Sequence, residues 1–171
     1  MKALSRTSLI VSLAALATGV AAQSASAQDD VIRWQSIIGI IQGGNVVGTG
    51  SGQVTGAPGP WSTHSGHVKV DLSRGRVDFD VEGLVFAAGN TIGTTGTVNQ
   101  VKGTLVCDTD GSASGGNSTI VDTPPVTLDE QGDARFTGTV TMPAVCSMEP
   151  DIAFLIRTTT GRWLANGTVL Q

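Results

Sequence analysis

Apolar and polar residues alternate most regularly between His67 and Glu82. A period of two places the apolar side chains of a strand on one face and the polar ones on the other. The alternation is interrupted at Ser73-Arg74-Gly75, where the glycine can adopt the positive φ of a tight turn. The segment therefore predicts a β-hairpin with one buried and one solvent-exposed face. The residues predicted to face the core are Val68, Val70, Leu72, Val77, Phe79 and Val81.

A second hairpin is predicted between Val126 and Met142. Its turn falls at residues 129–133, where Asp and Gly residues are typical of tight turns. The flanking residues again alternate in polarity, which indicates two strands with one buried face. We expect three residues of the second strand to point inward, namely Phe136, Val140 and Met142.

The remaining strands are predicted from short runs of Val, Ile and Thr that are separated by Gly, Asn or Pro. These runs cover residues 32–41, 46–55, 98–107, 152–157 and 163–170. The first of them is almost continuously apolar, which favours a central strand or one bulged at Gly39. No stretch of ten residues has helical periodicity. The chain therefore predicts an all-β fold of about nine strands, either an antiparallel, immunoglobulin-like β-sandwich or a partly closed barrel.

The N-terminal segment has the pattern of a secretory signal peptide. It begins with Lys2 and Arg6, continues through an apolar stretch from Leu9 to Ala22, and ends in the small residues 24–27. Small residues at this position suit signal peptidase, and the apolar stretch is shorter than the ~20 residues that span a bilayer. We therefore expect residues 1–27 to be a signal peptide that is cleaved after Ala27.

The predicted mature chain, residues 28–171, has the length of a single all-β domain. Loss of Lys2 and Arg6 leaves eight basic residues against 14 acidic ones, a net charge of −6. Lys69 and Lys102 are its only lysines, so neither nucleic acid nor an anionic membrane is an expected partner. No later stretch is apolar enough to span a membrane. The expected location is the periplasm or the extracellular space.

The two cysteines of the chain, Cys107 and Cys146, are predicted to form a disulfide. Exported proteins meet an oxidising compartment, where a single pair of cysteines is expected to be joined. The bond closes a loop of about 40 residues, which the chain-entropy model values at roughly 4 kcal/mol.

Pairing of the cysteines would also gather acidic residues at one end of the domain. Asp108 and Asp110 follow Cys107, and Glu149 and Asp151 follow Cys146. Hard oxygen donors on loops are the ligands of Ca²⁺, so the four carboxylates are a candidate calcium site. The spacing differs from an EF-hand, because Gly111 stands at the fourth loop position rather than the sixth. The alternative is a pair of polar loops in which Asp and Gly serve turn geometry.

Both histidines lie in a short segment that also contains Trp61. His64 and His67 could present two imidazoles to a transition metal, with Asp71 or Asp80 as a third ligand. The alternative is two surface histidines near the start of a strand. If the domain binds another molecule, Trp61, His64 and His67 are the residues predicted to contact it, with Trp61 in an exposed aromatic patch.

Residues 65–84 resemble the chordin-type (CHRD) domains in the sequence Ser-Gly-His-Val-Lys-Val-Asp-Leu, a turn, and Val-Asp-Phe-Asp-Val-Glu-Gly-Leu. The resemblance implies an immunoglobulin-like sandwich. Chordin-type domains carry a His-x-His segment after this hairpin, whereas this chain has Ala87-Ala88-Gly89-Asn90. A metal role for that segment therefore does not transfer. The chain as a whole resembles small secreted bacterial β-domain proteins.

The sequence favours an exported, non-enzymatic binding or structural domain, and it predicts neither the ligand nor the oligomeric state. It contains no Gly-x-Ser-x-Gly elbow for a hydrolytic serine. One alternative is a hydrolase that cleaves polysaccharide with two carboxylates chosen from Asp78, Asp80 and Glu82. Another is a self-assembling surface protein, because few lysines protect the sheet edges.

Overall fold

The computed structural model describes residues 30–148 and 151–168, and within them nine strands have four or more residues and five have two. The predicted signal peptide lies outside the described residues. A 3₁₀ turn covers Gly50–Gly52 and a one-turn helix, α1, covers Val145–Met148. The strands are β1 (Val31–Trp34), β2 (Ser36–Gly39), β3 (Val46–Val47), β4 (Val54–Thr55), β5 (Trp61–Ser62), β6 (Ser65–Asp71), β7 (Arg76–Glu82), β8 (Val85–Phe86), β9 (Gln100–Cys107), β10 (Thr119–Asp122), β11 (Val126–Thr127), β12 (Ala134–Thr139), β13 (Ile152–Thr158) and β14 (Trp163–Thr168).

Two antiparallel sheets form the body of the domain. Sheet I has the order β1-β6-β7-β12. Sheet II has the order β10-β9-β13-β14-β2. The short strand β11 pairs with the same edge of β9 as β10 does. The short strands form two further pairs, β3 with β4 and β5 with β8. None of these sheets closes on itself in the described residues, so the prediction of an all-β, sandwich-like fold is confirmed and the barrel alternative is not.

The core lies between the two sheets and is centred on aromatic rings. Phe79 of sheet I lies 5.7 Å from Phe154 of sheet II, and Trp34 lies 5.9 Å from Phe154, measured between ring centroids. All three side chains are almost fully buried. Gly103 and Gly167 allow this approach, because an added Cβ would lie 2.8 Å from the ring of Phe79 or Trp34 respectively.

The hairpin predicted first is confirmed as β6 and β7. Val68 lies opposite Phe79 and Val70 opposite Val77, and the residues predicted to point inward are buried. The apolar run at 32–41 forms β1 and β2, and the chain passes from sheet I to sheet II at Gln35 rather than bulging at Gly39.

The second predicted hairpin is wrong in its pairing. The turn forms as expected, because the carboxylate of Asp129 accepts the backbone N–H groups of Gln131 and Asp133. The strands on either side of the turn do not pair with each other. β11 pairs with β9 in sheet II, and β12 pairs with β7 in sheet I. Alternation in polarity records which face of a strand is buried but not which strand lies beside it.

Residues 46–55 do not form the single predicted strand. The glycine-rich centre turns into the 3₁₀ segment and packs against the loop before β10, where the hydroxyl of Ser118 accepts the N–H of Thr49 and the side-chain oxygen of Asn117 accepts the N–H of Ser51. An added Cβ at Gly52 would lie 1.9 Å from the carbonyl oxygen of Ser118. Strand β10 itself was not predicted from the sequence.

Replacing Gly52 with alanine should destabilise the domain, because the new methyl group meets backbone atoms that cannot move aside. We expect the free energy of unfolding in urea to fall by about 1–3 kcal/mol, the usual cost of overpacking. Gly59→Ala is the matched control, since an added Cβ there has no heavy atom within 4 Å. An equal loss of stability in both variants would contradict the close packing at Gly52.

Asp71 stabilises the turn between β6 and β7 through hydrogen bonds. Its carboxylate accepts the hydroxyl of Ser73 at 2.7 Å, and it also accepts the guanidinium and backbone N–H of Arg74 at 2.7 and 3.0 Å. These donors favour the ionised form and lower the pKa of Asp71 from 3.8 to about 2, with the Ser73 hydroxyl contributing most.

Because of this lowered pKa, the contribution of Asp71 to the stability of the fold should depend on pH, and Asp71→Asn should remove that contribution. A carboxylate with a lowered folded-state pKa stabilises the fold above its unfolded pKa and loses that contribution as the pH falls through its folded pKa. The denaturation midpoint of the variant should therefore lie below that of the parent above about pH 5. The difference should shrink between pH 3.8 and about 2. Glu130→Gln, in an exposed turn, is the control. A difference that is independent of pH would refute this role for Asp71.

Candidate functional site

An open groove of about 710 Å³ runs beside β2, the edge strand of sheet II. Residues 35–39 and Ile41 line one side, and residues 60–67 line the other. Two hydrogen bonds set the distance between the two sides. The hydroxyl of Thr63 donates to the carbonyl of Ile37 at 2.6 Å, and the N–H of Trp61 donates to the carbonyl of Ile40 at 2.8 Å.

All three residues predicted to contact a ligand line this groove, but they contribute differently. His64 and His67 are exposed. The ring of Trp61 is only 3% exposed and packs on Phe86 with 4.2 Å between centroids. Trp61 therefore shapes the groove from below, and it does not offer the exposed aromatic face that the sequence suggested.

The exposed apolar surface of the groove comes instead from Ile38 and Ile41, which are 45% and 83% exposed. Ile37 and Ile40 point the other way and are buried in the core. Sequence analysis missed the exposed pair because four isoleucines in one apolar run show no change of polarity that separates inward from outward positions. The only available signal is the position of β2 at a sheet edge, which depends on the topology.

The groove lining contains no carboxylate and no Lys or Arg. Neither histidine belongs to a group of three metal-ligating side chains in the described ranges. The two carboxylates suggested as a third ligand are engaged elsewhere: Asp71 accepts bonds from Ser73 and Arg74, and Asp80 pairs with Arg135. Among the residues that the structure describes, the histidine pair therefore has no third ligand of the kind that a transition-metal site requires.

The predicted disulfide is present. Cys107, the last residue of β9, is bonded to Cys146 of α1, with 5.0 Å between their Cα atoms. Both residues are completely buried. The bond holds the loop that follows β9 beside the segment that leads into β13.

Three of the four carboxylates predicted to gather next to the disulfide do so. Asp108, Asp110 and Asp151 each place one oxygen within 4.8 Å of the others, and they are the only such group in the described part of the chain. Asp108 is completely buried, Asp151 is partly buried and Asp110 is exposed. Glu149, the fourth predicted residue, lies outside the described residues.

Hydrogen bonds fix the positions of these carboxylates. Asp151 accepts the hydroxyl of Thr109 at 2.9 Å and the backbone N–H of Asp110 at 3.1 Å. The backbone N–H of Ser112, bonded at 2.9 Å, is the largest of the effects that lower the pKa of Asp110, and the nearby charge of Asp151 acts in the opposite direction. Asp108 adopts φ +56°, a conformation that Asp tolerates better than most residues.

The carboxylates suggested for polysaccharide hydrolysis lie on the outer face of sheet I. Asp78 accepts the hydroxyl of Thr137, Asp80 pairs with Arg135, and Glu82 accepts the hydroxyl of Ser65 at 2.6 Å. Asp80 and Glu82 border an open cleft of about 370 Å³.

No protein-family model, curated protein or solved structure matches this chain. The resemblance to chordin-type domains therefore stays a prediction. Within the described residues, no helix has the length and apolar character needed to cross a membrane.

Proposed function

We propose that the chain is an exported, non-enzymatic binding domain that holds an uncharged, apolar-sided peptide segment of another exported molecule in the groove beside β2. The observation that carries the proposal is the exposure of Ile38 and Ile41 along a groove whose lining contains no carboxylate and no Lys or Arg. An apolar patch rimmed by polar groups is typical of an interaction site.

Export is supported by two independent features. Residues 1–27 have the charged start, apolar centre and small-residue end of a signal peptide. The Cys107–Cys146 disulfide suits an oxidising compartment such as the periplasm or the extracellular medium.

Binding is favoured over hydrolysis by the chemistry of the groove. Hydrolysis of a glycoside or ester needs a pair of carboxylates or a nucleophile activated by a base. The lining has no carboxylate, and the hydroxyl of Ser65 donates to Glu82 rather than to a histidine. Serine, threonine and histidine side chains in the lining can instead supply hydrogen bonds to a bound chain.

A peptide with aliphatic side chains suits the groove better than a sugar does. Sugars are bound largely by exposed aromatic faces, whereas the ring of Trp61 is covered. Addition of a strand to β2 is disfavoured, because the carbonyls of Ile37 and Ile40 already accept bonds from Thr63 and Trp61. Affinity would therefore come from side-chain contacts with Ile38 and Ile41.

Ile41→Asp should weaken binding while leaving the fold intact, because Ile41 is 83% solvent-exposed. Labelled protein applied to arrays of uncharged peptides and neutral glycans should bind apolar peptides, and Ile41→Asp should weaken that binding at least tenfold. Ile92→Asp is the matched control, since Ile92 is 63% exposed and does not line the groove.

Four results would overturn the proposal. Ile41→Asp could bind as well as the parent protein, or the arrays could show binding to glycans alone. Release of reducing ends from a glycan would favour the hydrolase alternative. The last result would come from a sizing column. If the parent protein elutes as an oligomer and Ile41→Asp elutes as a monomer, the exposed isoleucines serve self-assembly rather than peptide binding.

A further inference from the structure

The carboxylate of Asp108 is buried but incompletely hydrogen-bonded by the residues that the structure describes. Asp108 is completely buried, and its Oδ1 accepts only long bonds, at 3.3 Å from the N–H of Ala113 and 3.5 Å from the hydroxyl of Ser112. Its Oδ2 has no hydrogen-bond partner among the described residues. A buried charged oxygen without a partner is costly, and native proteins seldom leave one unsatisfied.

The same carboxylate faces two others. One oxygen from each of Asp108, Asp110 and Asp151 lies within 4.8 Å of the other two. The ion pairs found in the described residues all lie elsewhere and join Arg74, Lys102, Arg135 and Arg157 to other carboxylates. Three acidic groups therefore converge without a basic side chain to balance them, although like charges at this distance repel one another.

The spacing of the oxygens suits a single divalent cation. Ca²⁺ binds oxygens at 2.3–2.6 Å, so two oxygens that bind the same ion are at most about 5 Å apart. The donors are all hard carboxylate oxygens on loops, and Ca²⁺ accepts the irregular coordination that loops provide more readily than Mg²⁺ does.

We propose that Asp108, Asp110 and Asp151 bind a Ca²⁺ ion beside the disulfide, and that the ion satisfies the unpartnered oxygen of Asp108. The ion joins the loop after β9 to the residues before β13, two segments that Cys107 and Cys146 already hold together. The site is separate from the groove, whose lining contains none of the three carboxylates.

The test uses the purified protein with its disulfide intact, freed of metal by EGTA. Titration calorimetry with CaCl₂ should show one site, with a dissociation constant in the range of about 10⁻⁷–10⁻³ M that covers sensor and extracellular sites. Calcium at ten times that constant should raise Tm by a few degrees, since a ligand that binds only the folded state stabilises it. NaCl of equal ionic strength controls for screening, and MgCl₂ tests selectivity.

Two variants assign the binding to the cluster. Asp110→Asn changes an exposed side chain, so it should fold, and we expect calcium affinity to fall at least tenfold. Asp108→Asn should remove the calcium-dependent rise in Tm. Glu130→Gln, which alters an exposed carboxylate in a distant turn, should respond to calcium as the parent protein does.

The proposal is overturned if the parent protein gives no saturable heat with CaCl₂ and melts at the same temperature in calcium and in EGTA. Unchanged calcium binding in Asp110→Asn would also overturn it, even if Asp108→Asn fails to fold. Ile41→Asp should retain calcium binding, which keeps this test separate from that of the groove.

Discussion

Contact between three aromatic rings and two glycines joins the two sheets of this domain. Phe79 and Trp34 extend from sheet I toward Phe154 of sheet II, and the absence of side chains at Gly103 and Gly167 leaves room for their rings. Any side chain at either glycine would press directly on a ring in a close-packed core. The contact therefore fixes the position of β9, the strand that ends in the disulfide and the acidic loop.

The sequence predicts the faces of strands better than it predicts their neighbours. Alternation in polarity predicted the hairpin of β6 and β7 correctly, because these two strands are joined by a short turn and lie side by side in sheet I. Between Val126 and Met142 the same pattern predicted a hairpin that does not form, because β11 and β12, on either side of the turn, belong to different sheets. At residues 46–55 the expected strand gave way to a glycine-rich turn, whose contact with Ser118 is a long-range packing effect that no local pattern records.

The two candidate sites were predictable to different degrees. The acidic cluster could be predicted from a covalent constraint, since pairing of the cysteines brings the segments that carry Asp108, Asp110 and Asp151 close together. Three residues of the groove, Trp61 and the two histidines, were predicted from the sequence. Its exposed isoleucines depend on where β2 lies in sheet II, and the covered ring of Trp61 depends on Phe86, a contact made across two short strands.

The path of the chain between the cysteines gives the disulfide a mechanical role. Between Cys107 and Cys146 the chain contributes β10 and β11 to sheet II, crosses to sheet I as β12, and returns. The covalent loop therefore encloses strands from both layers of the sandwich. A force that pulls the two ends of the chain apart can detach β1 and β14 from their sheets, but roughly 130 Å of chain within the loop stays unextended until the bond is reduced.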